Sequence, residues 1–424
     1  MTQFKITDVR AREIFDCRGT PTVEVGIWVD NCLQGQASVP SGRSTGSHEA
    51  HELRDGGSRY GGLGVRTAVD NVNQVIAPEV IGHDVTQQRE LDNLMKELDG
   101  TPQKSRLGAN AIVGVSLAIA KAAAGSLGMP LYKYINSNAH ILPVPVLDLI
   151  EGGMLAASDL DFQEHQVIPV GAESFSEAIR MGMEVYYELG KILAEKWGKH
   201  SLNVGVEGGY TPPGMKDPRE AFDAELLAIE RLGYKDKFVL SLDCAASHFY
   251  NRKTGRYTLM GKEITREELM NFYKDLVSSY PLQSIEDPLD EEDFDGFAEL
   301  ARTLNIQIVG DDLFVTNINR LRKGIEKGAA NALLLKVNQI GTLSEALDAA
   351  QFAFRNSYGV QVSERSGETE DTWLADLTVG LNAGQIKTGI TRSERTAKYN
   401  RLLQIEEELG PAAKYAGINF RQPF

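Results

Sequence analysis

The feature that most limits the fold is a series of short apolar runs, each ending on a charged residue at a near-regular interval. They are Val239–Asp243 (VLSLD), Leu282–Glu286 (LQSIE), Ile306–Asp311 (IQIVGD), Ala332–Lys336 (ALLLK), Val360–Glu364 (VQVSE) and Gly384–Lys387 (GQIK). Their terminal charges are 43, 25, 25, 28 and 23 residues apart, close to the length of one strand-helix unit. Between and before them lie amphipathic segments with helix-start signals: Ser174 to Glu177, Thr265 to Glu268 and Thr342 to Glu345. After the first of these, Ile179, Met183, Tyr186, Leu193 and Trp197 are expected on one buried face, with Gly198 ending the helix. Continuous apolar strands covered by helices predict an α/β fold with a parallel sheet, and this many units favour closure into a TIM-like (β/α)8 barrel. Charges at the C-terminal ends of the strands then converge on one mouth.

The segment before these units reads differently. Residues Thr22 to Asp30 alternate, a Gly/Ser loop covers Ser41 to Gly46, and helical patterns run to about Gly128. This predicts a small α+β capping domain over 1–135, with Asn136 to His140 as linker and the barrel over 140–424, starting in the run Ile141 to Leu149. The apolar stretch Ala111 to Leu131 carries Lys121 and three glycines, which points to a buried Ala-rich helix rather than a membrane span.

Charge narrows the function. Forty-four basic against 59 acidic residues give −15, with no Lys/Arg stripe, so neither nucleic acid nor a membrane surface is an expected partner. An acidic chain that handles an anionic substrate needs placed cations or bound metal to overcome its own field. Cys17, Cys32 and Cys244 lack metal-ligand spacing and do not suggest a disulfide framework. Together with an N-terminus that lacks the charged-then-apolar order of a signal peptide, they predict a cytoplasmic protein.

The mouth of such a barrel would hold Asp243, Glu286 and Asp311 from three consecutive strands, then Lys336 and Lys387. Three hard carboxylate ligands suit Mg²⁺. A lysine becomes a base near neutral pH when desolvation and nearby cations depress its pKa. Removing a proton beside a carboxylate builds a second charge on an anion, which Mg²⁺ can stabilise.

The chain resembles the enolase family over nearly its whole length. The resemblance is carried by REIFDCRGTPTVEV (Arg12 to Val25), PSGRSTGSHEAHELRD (Pro40 to Asp55), KSRLGANAIVGVSLA (Lys104 to Ala118), SIEDP (Ser284 to Pro288), GDDLFVTN (Gly310 to Asn317), LLLKVNQIGT (Leu333 to Thr342), SGETEDT (Ser366 to Thr372) and GQIKTG followed by RSERTAKYN. It implies a modified barrel with an N-terminal cap, and Mg²⁺-dependent dehydration of 2-phosphoglycerate to phosphoenolpyruvate in a homo-oligomer, a dimer or octamer. Carried onto matching positions, it makes Asp243, Glu286 and Asp311 ligands of a first Mg²⁺ and Lys336 the base. Glu164 (in FQEH) and Glu207 (in VEGGY) become the pair that protonates the leaving hydroxyl. Lys387 would hold the substrate carboxylate, Arg365 and Ser366 the phosphate, and Ser44 a second Mg²⁺.

Four positions depart from the family pattern. Glu364 and Leu155 stand where the family has histidines, Val206 replaces an acidic residue before Glu207, and the lid reads SGRST with Arg43. All four fall at the phosphate and hydroxyl end. One expectation is that Arg43 pairs with Glu364 when the lid closes, both then bordering the substrate; another is that Arg43 meets an extra anionic group. A different phospho- or phosphono-acid substrate, as for carboxyphosphonoenolpyruvate synthase, an unphosphorylated sugar acid, and a non-catalytic relative remain open at this point.

Overall fold

The computed structural model describes residues 4–43 and 45–422. The N-terminal unit is built on an antiparallel three-stranded sheet of Ile6–Phe15, Pro21–Val29 and Cys32–Ser38, in that order. The Ala-rich helix Ala109–Ser126 lies across it, almost wholly buried, as its composition predicts. Small residues are required at this contact: a Cβ on Gly35 would lie 2.4 Å from Ala118 O and 2.3 Å from Ala122 N. This is the one helix apolar and long enough to cross a membrane among the described residues, and 83% of it is buried inside the protein. Residues 136–140 form neither helix nor strand.

Eight strands then close into a barrel: Val144–Glu151, Glu164–Ile168, Val239–Asp243, Leu282–Glu286, Gln307–Gly310, Ala332–Leu335, Gly359–Ser363 and Gly384–Lys387. Six coincide with the apolar runs to within a residue or two. The expectation of an all-parallel sheet is corrected at the second strand, which pairs antiparallel with both neighbours. Its reversal has a consequence for chemistry. Glu164, the first residue of that strand, faces Glu151 at the end of the first strand and Asp243 at the end of the third. Reversing one strand thus delivers a carboxylate to the mouth from a strand start.

Helix starts follow the sequence signals. Ser174 accepts from Glu177 N, Thr265 forms a full capping box with Glu268, and Thr342 accepts from Glu345 N. The buried face of Phe175–Trp197 is rotated from the expected one. Met181, Val185, Tyr186, Leu189, Ile192 and Leu193 are buried, while Ile179, Met183 and Trp197 are only half-buried.

The two units are fastened beside the mouth. Ser41 and Gly367 exchange backbone hydrogen bonds at 2.9 and 2.8 Å, tying the start of the Gly/Ser loop to the loop after the seventh strand. Arg365 and Glu49 join the same two segments through a bidentate pair at 2.9 and 3.1 Å.

Candidate active site

The barrel mouth is a field of buried carboxylates neutralised by a few cations. Lys387, at the end of the last strand, reaches the centre and places Nζ 2.8 Å from Asp243 Oδ2, 2.8 Å from Glu286 Oε2 and 3.0 Å from Glu164 Oε1. Burial disfavours its ammonium form, but the surrounding carboxylates outweigh burial and hold it well above its ordinary pKa. Burial and the neighbouring Asp243 push Glu286 upward. Lys336 lies one step outward, with Nζ 2.6 Å from Asp311 Oδ2, while Gln339 donates to Asp311 Oδ1 at 2.7 Å. Here the structure corrects an expectation. Burial and the cations of Arg365 and Lys387 do depress Lys336, yet Asp311 prevails and its pKa lies above the usual lysine value.

The opposite wall carries the acids that match the hydroxyl-handling pair. Glu207 sits in the loop between Val204 and Tyr210, which wraps around Glu151: Glu151 Oε1 accepts from Glu207 N at 3.0 Å and from Gly209 N at 2.7 Å. Gly208 makes this wrap possible, with φ +97° and Thr391 Oγ1 only 2.5 Å from where a Cβ would stand. Burial raises the Glu207 carboxyl to about 8, aided by the Glu364 charge. Glu164 is likewise pushed up to about 8 by burial against the pull of Lys387, and its Oε2 accepts from Gln166 at 2.7 Å. Burial thus biases both carboxyls toward the protonated form. Asp148, fully buried with neither carboxylate oxygen partnered, stands within 4.8 Å of Glu164 and Glu207. The sequence hid both: Asp148 sits inside the apolar run Ile141 to Leu149, and Glu151 lies two residues past its end.

At the phosphate end, Arg365 is buried and bound by Glu49 and by Asn338 Oδ1 at 3.0 Å. Ser366 Oγ accepts from Arg43 N at 2.8 Å and from Arg18 Nη1 at 3.3 Å. The expected Arg43–Glu364 pair is not formed. The Arg43 residue is exposed, and Glu364 is instead paired with Arg395 Nη1 at 2.5 Å and with Thr388 Oγ1 at 2.7 Å. Arg395 belongs to the C-terminal helix Ser393–Leu409 and is fully buried. A charged residue on an amphipathic helix reads as solvated, which is why its role escaped the sequence. Ser44 lies outside the described residues.

A small enclosed pocket of about 20 Å³ gathers Glu164, Glu207, Lys336, Glu364, Arg365, Ser366 and Lys387, with Leu155 as an apolar wall. Asp243, Glu286 and Asp311 lie beneath it, reached through the two lysines. Three carboxylates at consecutive strand ends, Asp243 and Glu286 buried and Asp311 partly so, are the hard-oxygen donor set that Mg²⁺ takes, and their mutual repulsion is what a divalent cation relieves, so these residues fit the ion. The ligand atoms are not pre-gathered: Asp311 clusters with Asp287 and Asp312.

A closed barrel with one antiparallel strand, capped by an α+β unit and holding lysines and carboxylates at its mouth, defines a carboxylate-and-lysine lyase scaffold. The chain matches the family models described as "Enolase, N-terminal domain" over residues 6–135 and "Enolase, C-terminal TIM barrel domain" over 139–424. It is 61% identical over 424 residues to a protein named "Enolase" from Methanocaldococcus jannaschii, covering 100% of this chain and 99% of that one. Proteins of the same name from Thermococcus gammatolerans and Pyrococcus furiosus are 61% and 60% identical over 427 residues, covering 99% of each chain. The chain belongs to the enolase family.

Proposed function

We propose that this chain is a phosphopyruvate hydratase, a carbon-oxygen lyase that dehydrates 2-phosphoglycerate to phosphoenolpyruvate. The observation that supports the reading is one pocket lined by Lys336, Glu164, Glu207, Arg365, Ser366 and Lys387, in which burial raises the Glu164 and Glu207 carboxyls to about 8.

Lys387 is a fixed cation for the substrate carboxylate, and Arg365 a guanidinium whose two-pronged hold on Glu49 is the geometry a phosphate oxygen pair can use. Orienting both ends leaves the α-carbon facing Lys336, which takes its proton. Glu207, backed by Glu164, gives a proton to the departing hydroxyl, which leaves as water. Asp243, Glu286 and Asp311 would hold Mg²⁺, with a second ion assigned to the segment around Ser44. When bound, Mg²⁺ would stabilise the dianion formed on proton loss and offset the Asp311 charge that now holds the Lys336 proton. The bonds of Ser41 to Gly367 and of Arg365 to Glu49 tie the N-terminal unit to the rim of the pocket.

Glycolytic chemistry in the cytoplasm and a homo-oligomer, a dimer or octamer, complete the proposal. The test is conversion of 2-phosphoglycerate with Mg²⁺ against the Lys336→Ala variant. Loss of product in both proteins sinks the reading.

A further inference from the structure

An anion has been built into the wall of this site where it borders both the acid and the phosphate end. Glu364 follows the seventh strand, with its backbone N donating to Lys387 O at 3.0 Å, and is buried in the lining of the pocket that it shares with Glu207. Its Oε2 is saturated by Arg395 at 2.5 Å and Thr388 at 2.7 Å. Its Oε1 and Glu207 Oε2 are both buried without a hydrogen-bond partner among the described residues, and the two side chains line the same pocket. Two buried carboxyls in one small pocket repel when both are ionised, so the pair favours keeping one proton.

Arg395 decides which of the two keeps it. Fully buried, it also donates through Nη1 to Arg365 O at 2.8 Å and through Nη2 to Ser366 O at 2.8 Å and Val206 O at 3.3 Å. It therefore cannot swing away, and its charge is committed to Glu364, where it opposes the rise that burial imposes on that carboxyl. The other groups facing Glu207 are Asp148 and Glu151 from the first strand, Glu164 from the second, Lys387 from the eighth and Tyr399 from the C-terminal helix. Four acids against a lysine already engaged with three carboxylates cannot by themselves favour one protonated carboxyl over the rest. The Arg395–Glu364 pair supplies the asymmetry.

We infer that Glu364, held ionised by Arg395 and Thr388, is a positioning residue that keeps a proton on Glu207 for delivery to the leaving group. The inference rests on the reading of Glu207 as the acid. In the step, the proton passes from Glu207 to the hydroxyl oxygen as the C–O bond breaks with its electron pair on oxygen. Water leaves, and Glu207 becomes an anion beside Glu364. That repulsion, limited by Arg395 and Lys387, favours return of a proton from solvent once product departs. The anion at position 364 thereby compensates within the wall of the site for the absent histidine, without any help from the lid.

The test compares wild type with Glu364→Gln, Glu364→Asp and the milder Thr388→Val. Activity needs protonated Glu207, so it is lost on the alkaline side. Removing the neighbouring anion lowers the pH of that loss by about one unit in Glu364→Gln. Thr388→Val shifts it the same way by less, and Glu364→Asp restores the wild-type profile. Exchange of the α-proton, which depends on Lys336, persists in all three. In parallel, the carboxyl C=O infrared band of the unliganded protein, assigned to Glu207 by subtraction of Glu207→Gln, should disappear at lower pH in Glu364→Gln. An alkaline limb and a Glu207 band both unmoved in Glu364→Gln and Thr388→Val overturn the inference, as does a change confined to KM, which would place Glu364 on the substrate. If wild type fails to dehydrate 2-phosphoglycerate, the proposed function falls, while the infrared band still decides the role of Glu364.

Discussion

Lys336 Nζ donates to Asp311 Oδ2 at 2.6 Å, so the proposed base is held protonated by a proposed metal ligand. Base and ligand are thereby coupled, because an ion that takes the Asp311 charge removes the anion retaining the lysine proton. Stripping divalent ions with a chelator should abolish α-proton exchange as well as product formation, and added Mg²⁺ should restore both. Exchange that continues in metal-free protein would contradict the coupling. Because the ion binds only the folded chain, Tm should also rise with Mg²⁺ concentration.

Separating the two proton transfers is the next prediction. Glu207→Gln should cut dehydration by about 10²–10⁴-fold, while α-proton exchange through Lys336 persists. A variant that loses both equally would mean that Glu207 shapes the site rather than acts as its acid.

Arg365→Lys keeps the charge but loses the planar fork that grips Glu49 in two places. We expect KM for the phosphorylated acid to rise by about tenfold or more, with a smaller change in kcat. An unchanged KM would remove Arg365 from the phosphate end.

Stability should fall as pH rises through neutrality. Glu164 and Glu207, raised to about 8 in the folded chain, contribute stability that is full below their unfolded value of about 4.5 and is lost as pH rises through about 8. His165, buried and lowered to about 4 by desolvation, acts in the opposite sense, its contribution being full above about 6.5 and lost as pH falls through about 4. Metal-free protein should therefore lose Tm progressively as pH rises from about 4.5 to about 8 through the two carboxyls, with His165 opposing that trend between about 6.5 and 4, and these three groups should add no further change above about pH 8. Glu207→Gln should flatten the fall, and a fall that is unaltered would assign it to other groups.

The cap offers a test independent of chemistry. Gly35→Val would drive a side chain into the backbone of Ala118 and Ala122. It should cost about 1–3 kcal/mol or more, read as a drop in Tm, whereas a neutral outcome would mean that the helix and sheet slide apart freely.

Much of this site was legible because strand periodicity and strand-end charge coincide. Asp243, Glu286, Asp311, Lys336, Glu364 and Lys387 are spaced by the same unit that builds the barrel, so finding the fold found them. What resisted reading was set by tertiary packing. Glu164 begins a reversed strand, so its charge precedes the apolar run instead of ending it. Asp148 and Glu151 are hidden in a run of eight buried residues, and Arg395 looks like the polar face of a helix until its neighbours are known. The partner of Glu364 was misassigned to Arg43 for a related reason. A glutamate expected beside a bound phosphate calls for a cation, and the lid offered Arg43, while the fold supplies a buried guanidinium from a helix about thirty residues further along the chain.

The central claim is tested most directly by following the growth of enol-phosphate absorbance when the Mg²⁺-loaded protein meets 2-phosphoglycerate, beside Lys336→Ala. The account predicts steady product from the native chain and a loss of about 10²–10⁴-fold or more in the variant. Equal rates in the two proteins, or no product with either, would contradict it.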